Sequence, residues 1–206
     1  GQGPNHSSAR IERYLQLAAQ DNMWIVQPST PANYFHMLRT QAYKRPRKPL
    51  IAFTPKQLLR LSAAASHIDE FTSGSFQPVI GDTTITDPSA VTRVLLCTGR
   101  LYYDLAKERA HRGDTSTAII RLEQLYPLPE AEVAEALAQY PNATVTWVQD
   151  EPRNQGAWPH LALNLFPSLG RPVRLVSRPE SATTAAGRAS LHKEQAATLI
   201  AQAFEG

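Results

Sequence analysis

The chain has 206 residues and a formal net charge of +3, with 42% hydrophobic and 19% charged residues. This composition excludes a disordered chain and allows one large domain or two small ones. The single cysteine, Cys97, excludes an internal disulfide framework and a zinc site built from several cysteines. No apolar run reaches the roughly 18 residues of a membrane helix, so we expect no membrane contact. The one dense basic cluster, at residues 44–48, favours a solvated loop over a nucleic-acid-binding surface.

Residues 1–86 predict a helix, a strand–helix–strand unit and a linker. Ser7 or Ser8 is expected to cap the first helix, with Glu12 in its first turn, where a carboxylate suits the helix dipole. The apolar runs 23–26 and 50–53 predict two strands, and Thr30 followed by Pro31 predicts the start of the helix between them. The predicted inward face of that helix consists of Tyr34, Phe35, Met37, Leu38 and Ala42. A strand, a helix and a second buried strand are typical of a parallel α/β sheet.

Residues 87–206 repeat the α/β alternation more clearly. Strands are predicted at 94–97, 118–122, 143–148 and 173–176, and helices at 101–111, from 129, at 157–165 and at 191–204. A loop is predicted over 149–156. The pattern indicates an open, mostly parallel sheet flanked by helices, with a domain boundary near Asp87.

Few residues suggest chemistry on their own. The chain has no HExxH pair and no cluster with metal-ligand spacing, so no metal site is predicted. Asp150 and Glu151 follow a predicted strand, at the edge of the sheet that usually carries function. His6 lies in a glycine-rich stretch before a helix, where a histidine can donate to an anion or transfer a proton. Spacing alone also fits a solvent-facing His6.

Several long stretches resemble the E1 component of 2-oxoglutarate dehydrogenases, which are thiamine-diphosphate enzymes of the transketolase-like superfamily. They include GQGPNHSSARIERYLQLAAQDN, QPSTPANYFHMLRTQA, LLCTGRLYYDLAKER and VQDEPRNQGAW, in order along the chain. The resemblance implies that residues 1–86 are the end of a pyrimidine-binding domain with its linker. It implies that residues 87–206 are the transketolase-like C-terminal domain.

The resemblance also implies a function. The expected reaction is oxidative decarboxylation of 2-oxoglutarate, with transfer of the succinyl group to a lipoyl group on E2, in the tricarboxylic acid cycle. The histidine of the GQGPxHSSAR motif matches His6, which we therefore expect in the active site, in contact with the substrate or intermediate. A homodimer is expected, in the cytoplasm of a bacterium or in the mitochondrial matrix of a eukaryote.

Other family features do not carry over. The motif that binds the diphosphate and Mg²⁺, and the glutamate that activates the cofactor, are expected before Gly1, in a longer polypeptide. No cofactor contact is therefore predicted within this chain, which alone should be inactive. The alternatives are a thiamine-diphosphate-dependent decarboxylase, carboligase or related 2-oxo acid dehydrogenase, and a non-catalytic assembly module when the chain is isolated.

Regulation is expected to differ from that of relatives which bind a nucleotide activator, acetyl-CoA or AMP. Arg39 and Gln124 match positions of that regulatory site. Thr40, Ala131 and Glu132 stand where such relatives carry cations. Because three cations are missing where a polyphosphate would bind, weak or absent activation by acetyl-CoA is predicted.

Overall fold

A computed structural model describes residues 8–205. Its strands are β1 (Trp24–Val26), β2 (Leu50–Ala52), β3 (Val79–Ile80), β4 (Arg93–Cys97), β5 (Thr117–Leu122), β6 (Gln124–Tyr126), β7 (Thr144–Pro152) and β8 (Val173–Arg178). Its helices are α1 (Ile11–Leu17), α2 (Pro31–Tyr43), α3 (Asp69–Thr72), α4 (Leu101–Arg112), α5 (Glu130–Ala138), α6 (Trp158–Asn164) and α7 (Ala189–Phe204). The predicted α/β class is confirmed.

The smaller sheet has three strands in the order β2-β1-β6. β1 and β2 are parallel and joined through α2, as the apolar runs predict. Thr30 caps α2 by accepting a hydrogen bond from the backbone N–H of Asn33 at 3.2 Å, with Pro31 at the first helical position. The antiparallel strand β6 comes from the second segment and was not predicted. Three residues are too few for a period to show in the sequence.

The larger sheet has five strands in the order β3-β5-β4-β7-β8. The four long strands are mutually parallel, and β3, from the predicted linker, adds antiparallel at one edge. Because β3 and β6 each join the other segment's sheet, the two sheets are interlocked. The predicted boundary at residues 86/87 stays a prediction.

Three local predictions were wrong. Of the predicted inward face of α2, Met37 is buried, but Tyr34, Phe35, Leu38 and Ala42 are exposed. Ala32, Asn33 and His36 are buried instead. Polar side chains can face inward here because they are bonded: His36 Nε2 lies 2.7 Å from the carbonyl oxygen of Glu70. Strand β7 runs on to Pro152 through part of the predicted loop.

The start of α1 also differs from the prediction. Its N-cap is Arg10, in a left-handed conformation with φ 58° and no capping side chain, so Ser8 does not cap the helix. Ser7 lies outside the described residues. Ile11 and Leu15 are buried in the same core cluster as Leu161 of α6. Helix α1 is thus packed into the core beneath the larger sheet.

Two buried carboxylates join the segments. Asp82, in the linker, pairs with Arg109 of α4 and accepts a hydrogen bond from the N–H of Ile119 at 2.8 Å. Glu123, which is fully buried between β5 and β6, accepts hydrogen bonds from the N–H of Ser29 and from the side chain of Asn33. Each acid holds a first-segment or linker element against the larger sheet. No helix among the described residues is long and apolar enough to cross a membrane.

Candidate functional site

Polar side chains line the carboxyl ends of the parallel strands. Gln27 follows β1, Thr98 follows β4, and Asp150 and Glu151 lie near the end of β7. They line two neighbouring cavities of about 370 and 790 Å³, of which Gln27, Asp150 and Glu151 line both. Ser8 and Ala9, directly after the His6 stretch, line the larger cavity. Open α/β sheets usually place their sites at this edge.

Gln149 shapes the segment that follows at this edge. Its buried side-chain oxygen accepts hydrogen bonds from the indole N–H of Trp147 and the backbone N–H of Trp158, both at 3.0 Å. Its amide nitrogen donates to the carbonyl oxygens of Pro152 at 3.0 Å and Gln155 at 2.8 Å. One side chain therefore fixes both the end of β7 and the start of α6. We name residues 153–157, between β7 and α6, the β7–α6 turn.

Gly156 closes this turn in a conformation that other residues rarely adopt. Its φ is 71°, and a Cβ there would lie 2.9 Å from the Cβ of Glu151 and 3.1 Å from the amide of Gln149. The glycine is therefore required both by its dihedral angle and by the close approach of its neighbours.

Asp150 is held by two arginines. Its Oδ1 lies 2.7 Å from the Nη2 of Arg178, and its Oδ2 lies 3.2 Å from the Nη2 of Arg100. Burial acts to raise the pKa of this carboxyl, but the charges of Arg178 and Arg100 outweigh it and lower the pKa to about 2. Asp150 is therefore ionised, and its single negative charge is shared by two guanidinium groups, of which Arg100 also pairs with Asp104.

Glu151 behaves in the opposite way. Burial, together with the negative charge of Asp150 and a smaller contribution from Glu12, raises its pKa to about 7. Two neighbouring carboxyl groups with opposite shifts leave one charged and one able to carry a proton near neutrality. The sequence placed both acids at the functional edge, but the split in their pKa values depends on the arginines of other elements.

Glu12 connects this edge to the helix that follows the His6 stretch. Its Oε2 accepts a hydrogen bond from the N–H of Gly156 at 3.0 Å, and its Oε1 lies 3.6 Å from a guanidinium nitrogen of Arg10. Only 14% of the Glu12 side chain is exposed. The sequence indicates only a helix-dipole role for Glu12, since the hydrogen-bond partner of its side chain lies 144 residues further along the chain.

The predicted site residues lie in different places. His6 lies outside the described residues, so its role stays a prediction. Arg39 donates a hydrogen bond to the carbonyl oxygen of Gly74 at 2.6 Å, and Gln124 donates to that of Pro127 at 2.6 Å. Neither lines the two cavities described above. Their regulatory role also stays a prediction.

Most cations at the two cavities are already paired with acids of this chain and are not free for the diphosphate of thiamine diphosphate. Arg100 and Arg178 are paired with acids, and Arg10 lies 3.6 Å from Glu12. Lys56, at the larger cavity, is exposed and makes no ion pair with another described residue. No group of three or more histidine, cysteine, aspartate or glutamate residues within 8–205 has the arrangement of a metal site. That the cofactor and Mg²⁺ contacts lie outside this chain stays a prediction.

Comparison with known families gives two matches. Residues 1–62 match the transketolase pyrimidine-binding domain, and residues 65–204 match the family described as 2-oxoglutarate dehydrogenase C-terminal. Together the two matches account for almost the whole chain.

Individual relatives agree with these families. The chain is 48% identical to the 2-oxoglutarate dehydrogenase E1 component of Haemophilus influenzae, over 99% of the chain and 22% of that protein. It is 49% identical to the E1/E2 component of Corynebacterium glutamicum, over 100% of the chain and 17% of that protein. A multifunctional 2-oxoglutarate metabolism enzyme of Mycolicibacterium vanbaalenii is 44% identical over 99% of the chain and 17% of its own length.

The chain thus spans about a fifth of the length of these curated relatives. Because one family match covers more than half of the chain and the similarity runs through its whole length, the chain belongs to the 2-oxoglutarate dehydrogenase E1 family.

Proposed function

We propose that this chain is part of an E1 subunit that oxidatively decarboxylates 2-oxoglutarate and passes the succinyl group to the lipoyl group of an E2 partner. The main support is the 48% identity to an E1 component over 99% of the chain, together with the GQGPNHSSAR motif. Thiamine diphosphate would supply the electron sink for decarboxylation. Its binding residues and Mg²⁺ are assigned to the rest of the subunit.

The contribution of this chain is His6 and the structure that follows it. A histidine can hold a proton or donate a hydrogen bond to the carboxylate or carbonyl oxygen of the substrate. Helix α1 starts five positions after His6 and is anchored to the larger sheet through Glu12 and its buried apolar face.

The test is His6→Ala in the full-length subunit, assayed with lipoyl-bearing E2. We expect kcat to fall by on the order of 100-fold or more, the usual range for acid–base groups. His111→Ala is the matched control, because His111 is exposed in the last turn of α4, away from the cavities. An H6A subunit with wild-type turnover would remove His6 from the mechanism.

Substrate choice needs its own experiment. The full-length enzyme should turn over 2-oxoglutarate in preference to 2-oxoadipate and pyruvate, with succinyl-lipoyl as the product. Release of succinic semialdehyde or a carboligation product in place of succinyl transfer would favour the alternative of a thiamine-diphosphate-dependent decarboxylase or carboligase. The reason to test this alternative is the Mycolicibacterium relative, which is named a multifunctional 2-oxoglutarate metabolism enzyme.

The assembly is part of the same proposal. The expected partners are the remainder of the E1 polypeptide, a second E1 subunit and E2, and the bacterial relatives support a cytoplasmic location. The exposed apolar side chains Tyr34, Phe35 and Leu38 on one face of α2 are consistent with further protein contacts. The isolated chain is expected to act at most as an assembly module.

A further inference from the structure

The geometry points to Glu12 and Gly156 as positioning residues for His6: the hydrogen bond between them fixes the start of α1, which begins five positions after His6, against the β7–α6 turn. This inference rests on the proposed function, since it concerns how His6 is held for the reaction. It assigns a role to two residues that touch neither substrate nor cofactor.

The anchor of α1 is the hydrogen bond from Gly156 to Glu12. Glu12 Oε2 accepts the N–H of Gly156 at 3.0 Å, and this bond joins α1 to the β7–α6 turn across 144 residues of sequence. The acceptor is the carboxylate of a side chain that is only 14% exposed, so the bond is charge-assisted and poorly screened by water. Such a bond resists displacement more than a bond between neutral surface groups.

The β7–α6 turn is held rigidly by hydrogen bonds to the side chain of Gln149. Gly156 presents its N–H to Glu12 because Gln149 holds the carbonyl of Gln155 at 2.8 Å and the N–H of Trp158 at 3.0 Å, on either side of the glycine. The turn leaves no space for a Cβ at Gly156. The donor is therefore preorganised, and its position does not depend on Glu12.

Glu12 also contacts Arg10, the residue that precedes α1 on the side of His6. The other oxygen of Glu12 lies 3.6 Å from the guanidinium of Arg10, whose left-handed backbone starts the helix. Arg10 lies four positions after His6, so one carboxylate contacts both the fixed turn and the last residue before α1. Misplacing a catalytic group by about 1 Å can reduce the rate by on the order of 100-fold.

The experiment uses the full-length subunit, with kcat and KM for 2-oxoglutarate. Glu12→Ala should lower kcat by on the order of 10- to 100-fold and leave KM nearly unchanged. Glu12→Gln should recover most of this loss, because its amide oxygen still accepts the N–H of Gly156. Glu130→Gln is the control, an exposed glutamate in the first turn of α5. Wild-type kcat in E12A would overturn the inference.

A double-mutant cycle separates positioning from general stability. If Glu12 acts through His6, the variant carrying both H6A and E12A should lose no more activity than H6A alone. Losses that multiply would show that Glu12 acts independently of His6 and would overturn the proposal.

Gly156→Ala tests the same bond from the other side and should reproduce the kcat loss of E12A. Gly170→Ala is its control, because Gly170 has a φ of 62° but open space around its Cβ position. Equal losses of kcat in G156A and G170A would show that the loss in G156A comes from backbone strain alone, and this would overturn the inference.

Hydrogen exchange gives a readout that does not depend on activity. Peptides covering residues 1–17 of the full-length subunit should exchange faster in E12A and G156A than in the wild type and in G170A. Unchanged exchange would contradict the positioning role. By contrast, full activity in H6A with faster exchange in E12A would refute the proposed role of His6 while leaving the anchor in place.

Discussion

Replacing Glu151 with glutamine should stabilise the carboxyl edge at alkaline pH and have little effect at acidic pH. Burial and the charge of Asp150 raise the pKa of Glu151 to about 7, against an ordinary value of 4.5. The folded state therefore keeps this proton in a pH range where the unfolded chain has released it. Because the folded state binds more protons there, stability falls as the pH rises from 4.5 to about 7.

The magnitude follows from the difference between the two pKa values. Each pH unit corresponds to about 1.4 kcal/mol, so ionised Glu151 costs the fold about 3 kcal/mol above pH 7, and glutamine removes this cost. Below pH 4.5 the carboxyl is protonated in both states, so the variant and the wild type should differ little.

The assay is hydrogen exchange of peptides from β7 and α6 in the full-length subunit at pH 5 and pH 8, corrected for the intrinsic exchange rate. E151Q should increase protection at pH 8 by up to about 100-fold, the equivalent of about 3 kcal/mol. Glu135→Gln on the exposed side of α5 should change protection at neither pH. Equal protection of E151Q and wild type at pH 8 would show that Glu151 is charged without penalty and refute the reasoning.

Three further predictions concern other parts of the chain. Asp82→Ala, which leaves the Arg109 guanidinium buried without its carboxylate, should cost about 3–5 kcal/mol of stability in denaturant unfolding of the full-length subunit; a cost below about 1 kcal/mol would contradict a buried pair. Glu123→Leu leaves the donors of Ser29 and Asn33 without an acceptor and should destabilise the junction of the two sheets by about 1–3 kcal/mol for each donor. Hydrogen exchange in β1 and α2 should then be faster, and unchanged exchange would contradict the prediction. Acetyl-CoA should bind the full enzyme weakly or not at all in calorimetry, and micromolar binding would refute that prediction.

The sequence determined the elements whose signals are local. The apolar runs predicted β1, β4 and β5, and their burial in parallel sheets follows because both faces of such strands are covered. Thr30 and Pro31 predicted the start of α2, since capping depends on only three neighbouring residues. The GQGPNHSSAR motif and the other long stretches were sufficient to indicate the family, which the comparisons confirm.

The tertiary structure decided which faces and partners are used. The inward face of α2 could not be read from hydrophobicity, because Asn33 and His36 become buried through bonds to Gln77 and Glu70 that only the fold supplies. The exchange of β3 and β6 between sheets likewise depends on contacts far apart in sequence.

The candidate site shows the same division. The sequence placed Asp150 and Glu151 at the end of a strand, but their opposite pKa values arise from Arg100, Arg178 and burial. The bond from Gly156 to Glu12 crosses 144 residues. No local period encodes such a contact, since it exists only once packing has brought α1 and the β7–α6 turn together.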